Sequence, residues 1–161
     1  MAYRAQLMTI PQSVRDDMMG VSWHSDPRCP SFDMLVLLRL VHWDMQGAEQ
    51  IGEMVVAAEI GEDVARIFER LHAAHFPIER MERVATFGGC DNRSMAANNT
   101  SAFNFRVIAG TSRLSLHAFG AAIDINPVQN PYVGAAAQVF PPLAVEYVER
   151  THLRPGMITR P

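Results

Sequence analysis

Apolar residues first concentrate in two neighbouring runs. Residues 35–43 are rich in Leu and Val, residues 44–47 include Asp and Gly, and residues 51–58 form a second run with Ile and Val. Large and β-branched apolar residues on both sides of a short turn are typical of a β-hairpin. The pattern therefore predicts two antiparallel strands joined by a turn at 44–47.

The next apolar pattern has a helical period. Acidic residues begin the segment 62–75 and Pro77 follows it, as expected for the two ends of a helix. Between them, apolar residues recur at spacings of three and four: Val64, Ile67, Phe68 and Leu71. The sequence predicts an amphipathic helix over 62–75.

Shorter elements are predicted after this helix: a strand over 81–86, a polar loop over 87–99 and a strand over 102–107. Side chains alternate between the two faces of a strand. Phe103 and Phe105 would therefore point one way and Arg106 the other. Loops as long as 87–99 in a compact domain are often functional.

Combining these elements predicts an α+β fold with a small, mostly antiparallel sheet. We expect helices on one face of the sheet and the candidate functional residues on the other. Residues 143–151 are predicted to form a short surface helix. Residues 1–30 carry three prolines and little periodicity, which indicates an N-terminal arm before a single domain over 31–161.

Composition and charge exclude several partners. The net charge is −3, the pI is about 6.0 and there is no basic cluster, so nucleic acid is not an expected partner. No apolar run reaches the roughly 18 residues of a membrane span. Charged and polar residues interrupt the first twenty positions, where a secretory signal would lie. Cys29 and Cys90 could form a disulfide or remain thiols.

The candidate chemistry lies in residues 115–124, Ser-Leu-His-Ala-Phe-Gly-Ala-Ala-Ile-Asp. His117 and Asp124 are residue types that bind zinc, and a catalytic zinc site uses three protein ligands. A lone His and Asp are more often a packed imidazole and a turn carboxylate. The combination of several fixed residue types around them favours the metal hypothesis.

The spacing of His117 and Asp124 allows two geometries. The residues could share a helix face after two turns, or flank a turn that leads into a strand. Gly120 permits a bend, and the β-branched neighbours Ile123 and Ile125 favour the strand. In a strand both Ile side chains lie on one face and Asp124 lies on the other.

The pattern Ser-x-His-x-x-Gly-x-Ala-x-Asp resembles the signature of the VanY-like zinc D-alanyl-D-alanine carboxypeptidases. These belong to a superfamily with lysostaphin-type peptidases and the hedgehog signalling domain. The similarity extends to residues 98–106 and 124–132 and, more weakly, over 43–157. It identifies 31–161 as a metallopeptidase-like domain that uses Zn²⁺ to hydrolyse short peptidoglycan peptides.

The resemblance also implies roles for individual residues. His117 and Asp124 correspond to zinc ligands. Arg106 corresponds to an arginine that binds or polarises the substrate, and Ser115 to a serine that helps to hold it. A peptidoglycan-derived substrate implies a location in the cell envelope or outside the cell, and we expect a monomer.

The third ligand of the family is a later His that closely follows a carboxylate acting as general base. His152, three residues after Glu149, has this spacing and is the candidate here, although chance spacing explains it as well. The family pattern predicts a further Trp- and Gly-rich segment beyond 154–158, so the domain is expected to lack a C-terminal part. The alternative function is a shortened homologue or a catalytically silent module, zinc-holding or metal-poor.

Four other histidines are interpreted as structural. His72 and His75 are spaced as a metal pair could be, but imidazoles near a helix C-terminus also complement the helix dipole. His24 and His42 have no partner at ligand spacing.

Overall fold

The computed structural model describes residues 3–159, and its largest element is a three-stranded antiparallel sheet. In spatial order the strands are β1 (Ala5–Thr9), β2 (Leu35–Trp43) and β3 (Glu49–Ala57). β2 and β3 form the predicted hairpin. The Asp44 carboxylate fixes its turn by accepting a hydrogen bond of 2.8 Å from the Ala48 N–H. The hairpin prediction is confirmed, and so is the α+β class with a small antiparallel sheet.

Helix α2 (Gly61–Ala73) follows the hairpin and covers one face of the sheet. Its buried residues Val64 and Phe68 pack against alternating residues of β2 and β3: Leu38, Leu40, Met54 and Val56. We call this cluster the first core. The helix ends before Pro77, and the predicted helix over 62–75 is confirmed.

The opposite face of the sheet is also buried. Helix α1 (Gln12–Met18) lies there, within a cluster that we call the second core: Ile10, Val14, Met18, Leu35, Leu37, Val55 and Phe103. Helices therefore pack on both faces, and the expectation that helices would pack on one face only is wrong. The physical reason is that β2 presents apolar side chains on both of its faces, so each face needs a cover. The predicted zinc cleft on the other face stays a prediction.

Both β1 and α1 come from the segment predicted to be an arm. β1 pairs with β2 along its whole length, from Ala5 opposite Leu40 to Thr9 opposite Val36. Its residues complete the sheet, and α1 completes the second core, so residues 5–18 are part of the folded body. The domain boundary at residue 30 stays a prediction.

Two predictions between residues 80 and 99 are wrong. β4 (Arg80–Met81) has only two residues and pairs in parallel with β5 (Asn99–Thr100), and Val84–Phe87 form a 3₁₀ turn instead of continuing a strand. Backbone N–H groups in this turn bond to carbonyls three residues back, which leaves them unavailable for a strand partner. The predicted loop over 87–99 contains helix α3 (Asp91–Ala96).

Residues 102–107 belong to none of the described sheets. The Phe103 N–H donates to the Val55 carbonyl of β3 at 3.0 Å, and the Phe105 N–H donates to the Ser22 carbonyl at 2.9 Å. Single bonds to different segments do not make a ladder, so the strand prediction is wrong here. Phe103 and Phe105 do share a side, because both pack in the second core.

The remaining elements are short. β6 (Tyr132–Val133) and β7 (Val139–Phe140) form a small antiparallel pair. A 3₁₀ segment, Pro142–Tyr147, occupies the start of the predicted surface helix over 143–151 and is shorter than predicted. In residues 3–159 no helix is long and apolar enough to cross a membrane.

Candidate metal site

The segment 115–124 folds as a capped turn at the end of β3. Ser115 is the N-cap of a 3₁₀ turn, Leu116–Phe119, and its Oγ accepts a hydrogen bond of 3.3 Å from the His117 N–H. Gly120 ends the turn in the left-handed conformation, with φ of 67°. Its carbonyl accepts a hydrogen bond of 3.1 Å from the Ala57 N–H at the end of β3.

Gly120 is required by two separate constraints. Its positive φ is costly for residues that carry a Cβ. A Cβ at this position would also lie only 2.6 Å from the Ala57 nitrogen. The glycine therefore allows the turn to approach the edge of the sheet closely enough to be held by it.

Extended backbone follows the turn and carries Asp124. The Ser101 and Asp124 backbones exchange two hydrogen bonds, at 3.1 Å and 2.9 Å, in an isolated antiparallel bridge. Ile123 and Ile125 both pack against the first core. The predicted turn between His117 and Asp124 is confirmed, but the strand predicted to follow it is wrong, because only an isolated bridge forms at Asp124.

His117 is oriented by a backbone carbonyl. Its Nδ1 lies 2.7 Å from the Ala102 carbonyl oxygen, and since a carbonyl only accepts, Nδ1 carries the donated proton. The neutral ring then has its lone pair on Nε2, which lies 3.4 Å from Oδ2 of Asp124. A ring nitrogen fixed in this way is typical of a metal-ligating histidine.

The distance between these two atoms fits a shared zinc ion. Ligand atoms at roughly 2.0–2.2 Å from a tetrahedral zinc lie about 3.4 Å from each other, which agrees with the separation of 3.4 Å between Nε2 and Oδ2. The His117 side chain is 14% exposed and that of Asp124 is 37% exposed. The pair is thus partly shielded from water but open on one side.

The carbonyl of Arg106 accepts a hydrogen bond of 3.0 Å from the Ser115 N–H, so Arg106 lies beside the capped turn. Its side chain is bound by a second carboxylate. Its Nη2 is 2.7 Å from Oδ2 of Asp91, and both side chains are about a quarter exposed (27% and 26%). Asp91 stands in the first turn of α3. Sequence reasoning did not single out Asp91, and the only available signal was its place in the polar loop predicted over 87–99.

The electrostatic field at Asp124 combines all of these groups. Loss of hydration through burial raises the pKa of the Asp124 carboxyl, and the negative charge of Asp91 raises it further. The positive charge of Arg106, and that of His117 whenever its ring is protonated, acts in the opposite direction, and His117 has the larger effect of the two. A carboxylate with reduced hydration gains more from a neighbouring cation than one in open water does.

His117 and Asp124 lie in a segment that matches a known protein family. Residues 109–154 match the sequence model of the D-alanyl-D-alanine carboxypeptidase family. No curated protein and no solved structure matches the chain. The predicted resemblance is confirmed over this segment, which contains Ser115, His117, Asp124 and His152 but neither Arg106 nor Asp91.

Within the carboxypeptidase-like segment, His152 is not brought to the other two candidates. It lies in an exposed bend after the last 3₁₀ segment. Across residues 3–159 no group of three or more His, Cys, Asp or Glu side chains is arranged to hold a metal. The structure therefore unites His117 with Asp124 and leaves His152 apart, so its role as third ligand stays a prediction.

Two histidines outside the carboxypeptidase-like segment have packing roles. The Nε2 of His72 lies 2.9 Å from Oε1 of Glu49, and its ring stacks on Trp43 with a centroid separation of 5.2 Å. His75 packs on another part of the same Trp43 ring at 4.7 Å. These contacts agree with the structural interpretation of the pair.

Proposed function

We propose that this chain contributes to the active site of a zinc-dependent peptidase that hydrolyses short peptidoglycan peptides at a D-alanine. The observation that carries the proposal is the His117–Asp124 pair, held at the separation of two ligands on one zinc ion, in a segment that matches D-alanyl-D-alanine carboxypeptidases. His117 would bind through Nε2 and Asp124 through its carboxylate.

Zinc, when bound there, would supply Lewis-acid polarisation of the scissile carbonyl and acidify a water molecule. The chain's own residues would hold and orient the peptide. Arg106 offers a planar guanidinium, whose paired N–H groups match the terminal carboxylate of a peptide. Ser115 has its Oγ beside the His117 backbone, where it would fix the ligand turn and face the bound peptide.

A second candidate function is a zinc-holding module without catalysis. It is favoured by one observation: within residues 3–159 no third His, Cys, Asp or Glu joins His117 and Asp124. Two protein ligands would hold zinc more weakly than the three of a catalytic site. Both candidate functions use the His117–Asp124 pair as zinc ligands. They differ in whether the zinc-loaded chain hydrolyses a peptide.

Zinc binding by single variants tests the shared part of the proposal. We expect His117→Ala and Asp124→Ala to lower zinc affinity by more than about 100-fold, beyond the roughly 10–100-fold typical of losing an outer-shell partner. Affinity is measured by competition with a chromogenic chelator, and circular dichroism verifies the fold. His75→Asn and Asp63→Ala are matched controls outside the segment. Unchanged zinc affinity in both ligand variants would refute the site.

Two further measurements separate the candidates. Release of D-alanine from a pentapeptide ending in D-alanyl-D-alanine by the zinc-loaded chain would support the peptidase. Zinc binding through His117 and Asp124 without release would support the silent module. His152→Ala tests the third ligand: a loss of zinc affinity as large as that of His117→Ala would support His152 as a ligand, and a change of less than about twofold would exclude it.

A further inference from the structure

Arg106 is paired with Asp91 and lies beside the capped turn at 115–124. Its Nη2 bonds to Asp91 at 2.7 Å, and its backbone carbonyl accepts a hydrogen bond of 3.0 Å from the Ser115 N–H at the start of that turn. The positive charge of Arg106 also acts to lower the pKa of the Asp124 carboxyl. The Nε of Arg106 is buried and has no hydrogen-bond partner within the described part of the chain. The guanidinium thus keeps one buried donor unused.

We propose that Asp91 is a positioning residue that holds Arg106 away from Asp124 and so keeps the Asp124 carboxylate free to bind a cation. This inference rests on the proposed function, because it assumes that Asp124 is a metal ligand. It assigns Asp91 no contact with metal or substrate. Asp91 acts only through Arg106.

Asp91 is suited to this role because its backbone is firmly placed. Gly89, just before α3, adopts a φ of +70°, and a Cβ there would lie 2.2 Å from the Val21 carbonyl oxygen. The Asn104 side chain donates a hydrogen bond of 3.2 Å to the Gly89 carbonyl. The segment that carries Arg106 is thereby tied directly to the segment that carries Asp91.

Removing the charge of Asp91 would leave the Arg106 guanidinium without its ion-pair partner. A partly buried guanidinium without a carboxylate is energetically unfavourable, so it would pair with another anion within reach. Asp124, at the end of the turn beside Arg106, is the candidate acceptor, and a carboxylate engaged by Arg106 would have to give up that ion pair before it could bind zinc. The predicted result is weaker zinc binding that depends on the presence of Arg106.

A double-mutant cycle on the full chain measures this dependence. Zinc affinity is determined for the wild type, Asp91→Asn, Arg106→Gln and the double variant. We expect Asp91→Asn to weaken zinc binding by about tenfold or more, as for other residues that support metal ligands. In the Arg106→Gln background the same substitution should cost less than about threefold.

Each alternative has its own signature in the cycle. An equal loss in both backgrounds would show that Asp91 acts through its own charge, and would overturn the inference. Unchanged affinity in Asp91→Asn would overturn it as well. Asp63→Asn, which removes the carboxylate paired with Arg66 on α2, is the matched control and should leave zinc affinity unaltered.

Two further variants separate this inference from folding defects and from failure of the proposed function. Asp91→Glu keeps the carboxylate and should retain zinc binding within about threefold, and a loss as large as that of Asp91→Asn would overturn the positioning role. If wild-type zinc affinity is insensitive to His117→Ala and Asp124→Ala, the proposed function fails and the inference fails with it. If those variants lose zinc but Asp91→Asn does not, only the inference fails.

Discussion

Residues 5–73 and residues 98–158 are stabilised by different kinds of contact. In the first region, apolar side chains of strands and helices are buried on both faces of the sheet. In the second region the regular elements are short. Four buried asparagines there make side-chain hydrogen bonds to backbone groups that are distant in the sequence: Asn98, Asn99, Asn104 and Asn126. The first region resembles an ordinary hydrophobic core, and the second a network of side-chain hydrogen bonds.

The difference explains where the candidate site lies. In a β-ladder the backbone N–H and C=O groups bond to the neighbouring strand. This pairing fixes the backbone conformation, and with it the direction of each side chain. Irregular backbone can place residues individually, provided that side chains satisfy its N–H and C=O groups. His117 and Asp124 lie in the irregular region, directly against the edge of β3, and they combine this freedom with a rigid support.

The largest effect is expected in the apolar region. Phe68 is 1% exposed in the first core, and Phe68→Ala should lower the free energy of unfolding by about 3–5 kcal/mol because it removes buried area and leaves a cavity. Ile67 is its neighbour on α2 and is 48% exposed, so Ile67→Ala should cost less than about 1 kcal/mol. Urea denaturation of both variants measures the difference, and equal losses would contradict the assignment of the core.

A smaller but specific effect is expected in the asparagine network. Asn126 is fully buried; its Oδ1 accepts from the Glu79 N–H at 3.0 Å, and its Nδ2 donates to the carbonyls of Pro77 (2.8 Å) and Gly156 (3.2 Å). Asn126→Ala leaves these buried groups unpaired and should cost about 2–3 kcal/mol.

Hydrogen exchange shows where the cost of Asn126→Ala falls. The Glu79 amide donates directly to Asn126, so it should lose protection, while amides of the β2–β3 ladder should keep theirs relative to global stability. Asn92→Ala, an exposed asparagine on α3, is the control and should stay within about 0.5 kcal/mol of the wild type. Uniform loss of protection would show that the two regions are not distinct.

The junction of the two regions should give the smallest effect of the three. Gly120→Ala combines a positive φ with a Cβ placed 2.6 Å from the Ala57 nitrogen. Gly110 has a similar φ, +75°, but nothing lies within 4 Å of a Cβ there. Gly110→Ala should cost about 1 kcal/mol for backbone strain alone, and Gly120→Ala about 2 kcal/mol. Thermal denaturation measures both, and equal shifts would show that the close approach to β3 is unimportant.

Elements with a strong local period could be predicted from the sequence. The hairpin and α2 follow from apolar spacing and turn residues that lie within the elements themselves. α1 was missed although Ile10, Val14 and Met18 recur at intervals of four, because it is short and lies among prolines. Residues 102–107 have strand-like alternation, but a strand also needs a partner ladder, which only the tertiary arrangement decides.

In the candidate site, too, contacts between residues close in the sequence could be predicted and contacts between distant segments could not. His117 and Asp124 could be predicted as a pair because the turn that unites them lies between them. Asp91 could not, since its ion pair with Arg106 joins segments fifteen residues apart through the placement of α3. His152 has a suitable spacing from Glu149 in the sequence, but spacing alone did not bring it to the turn.

The capped turn at 115–124 also bears on the entropy of cation binding. Six residues lie between His117 and Asp124 in the sequence. Folding has already closed this loop and fixed the imidazole ring through Ala102. A flexible chelating peptide loses conformational entropy when it binds a cation. In this chain the corresponding entropy is already lost when the protein folds. In the proposed site the turn would act as a preorganised two-point chelator, and its affinity for a cation would depend on how tightly the edge of β3 holds Gly120.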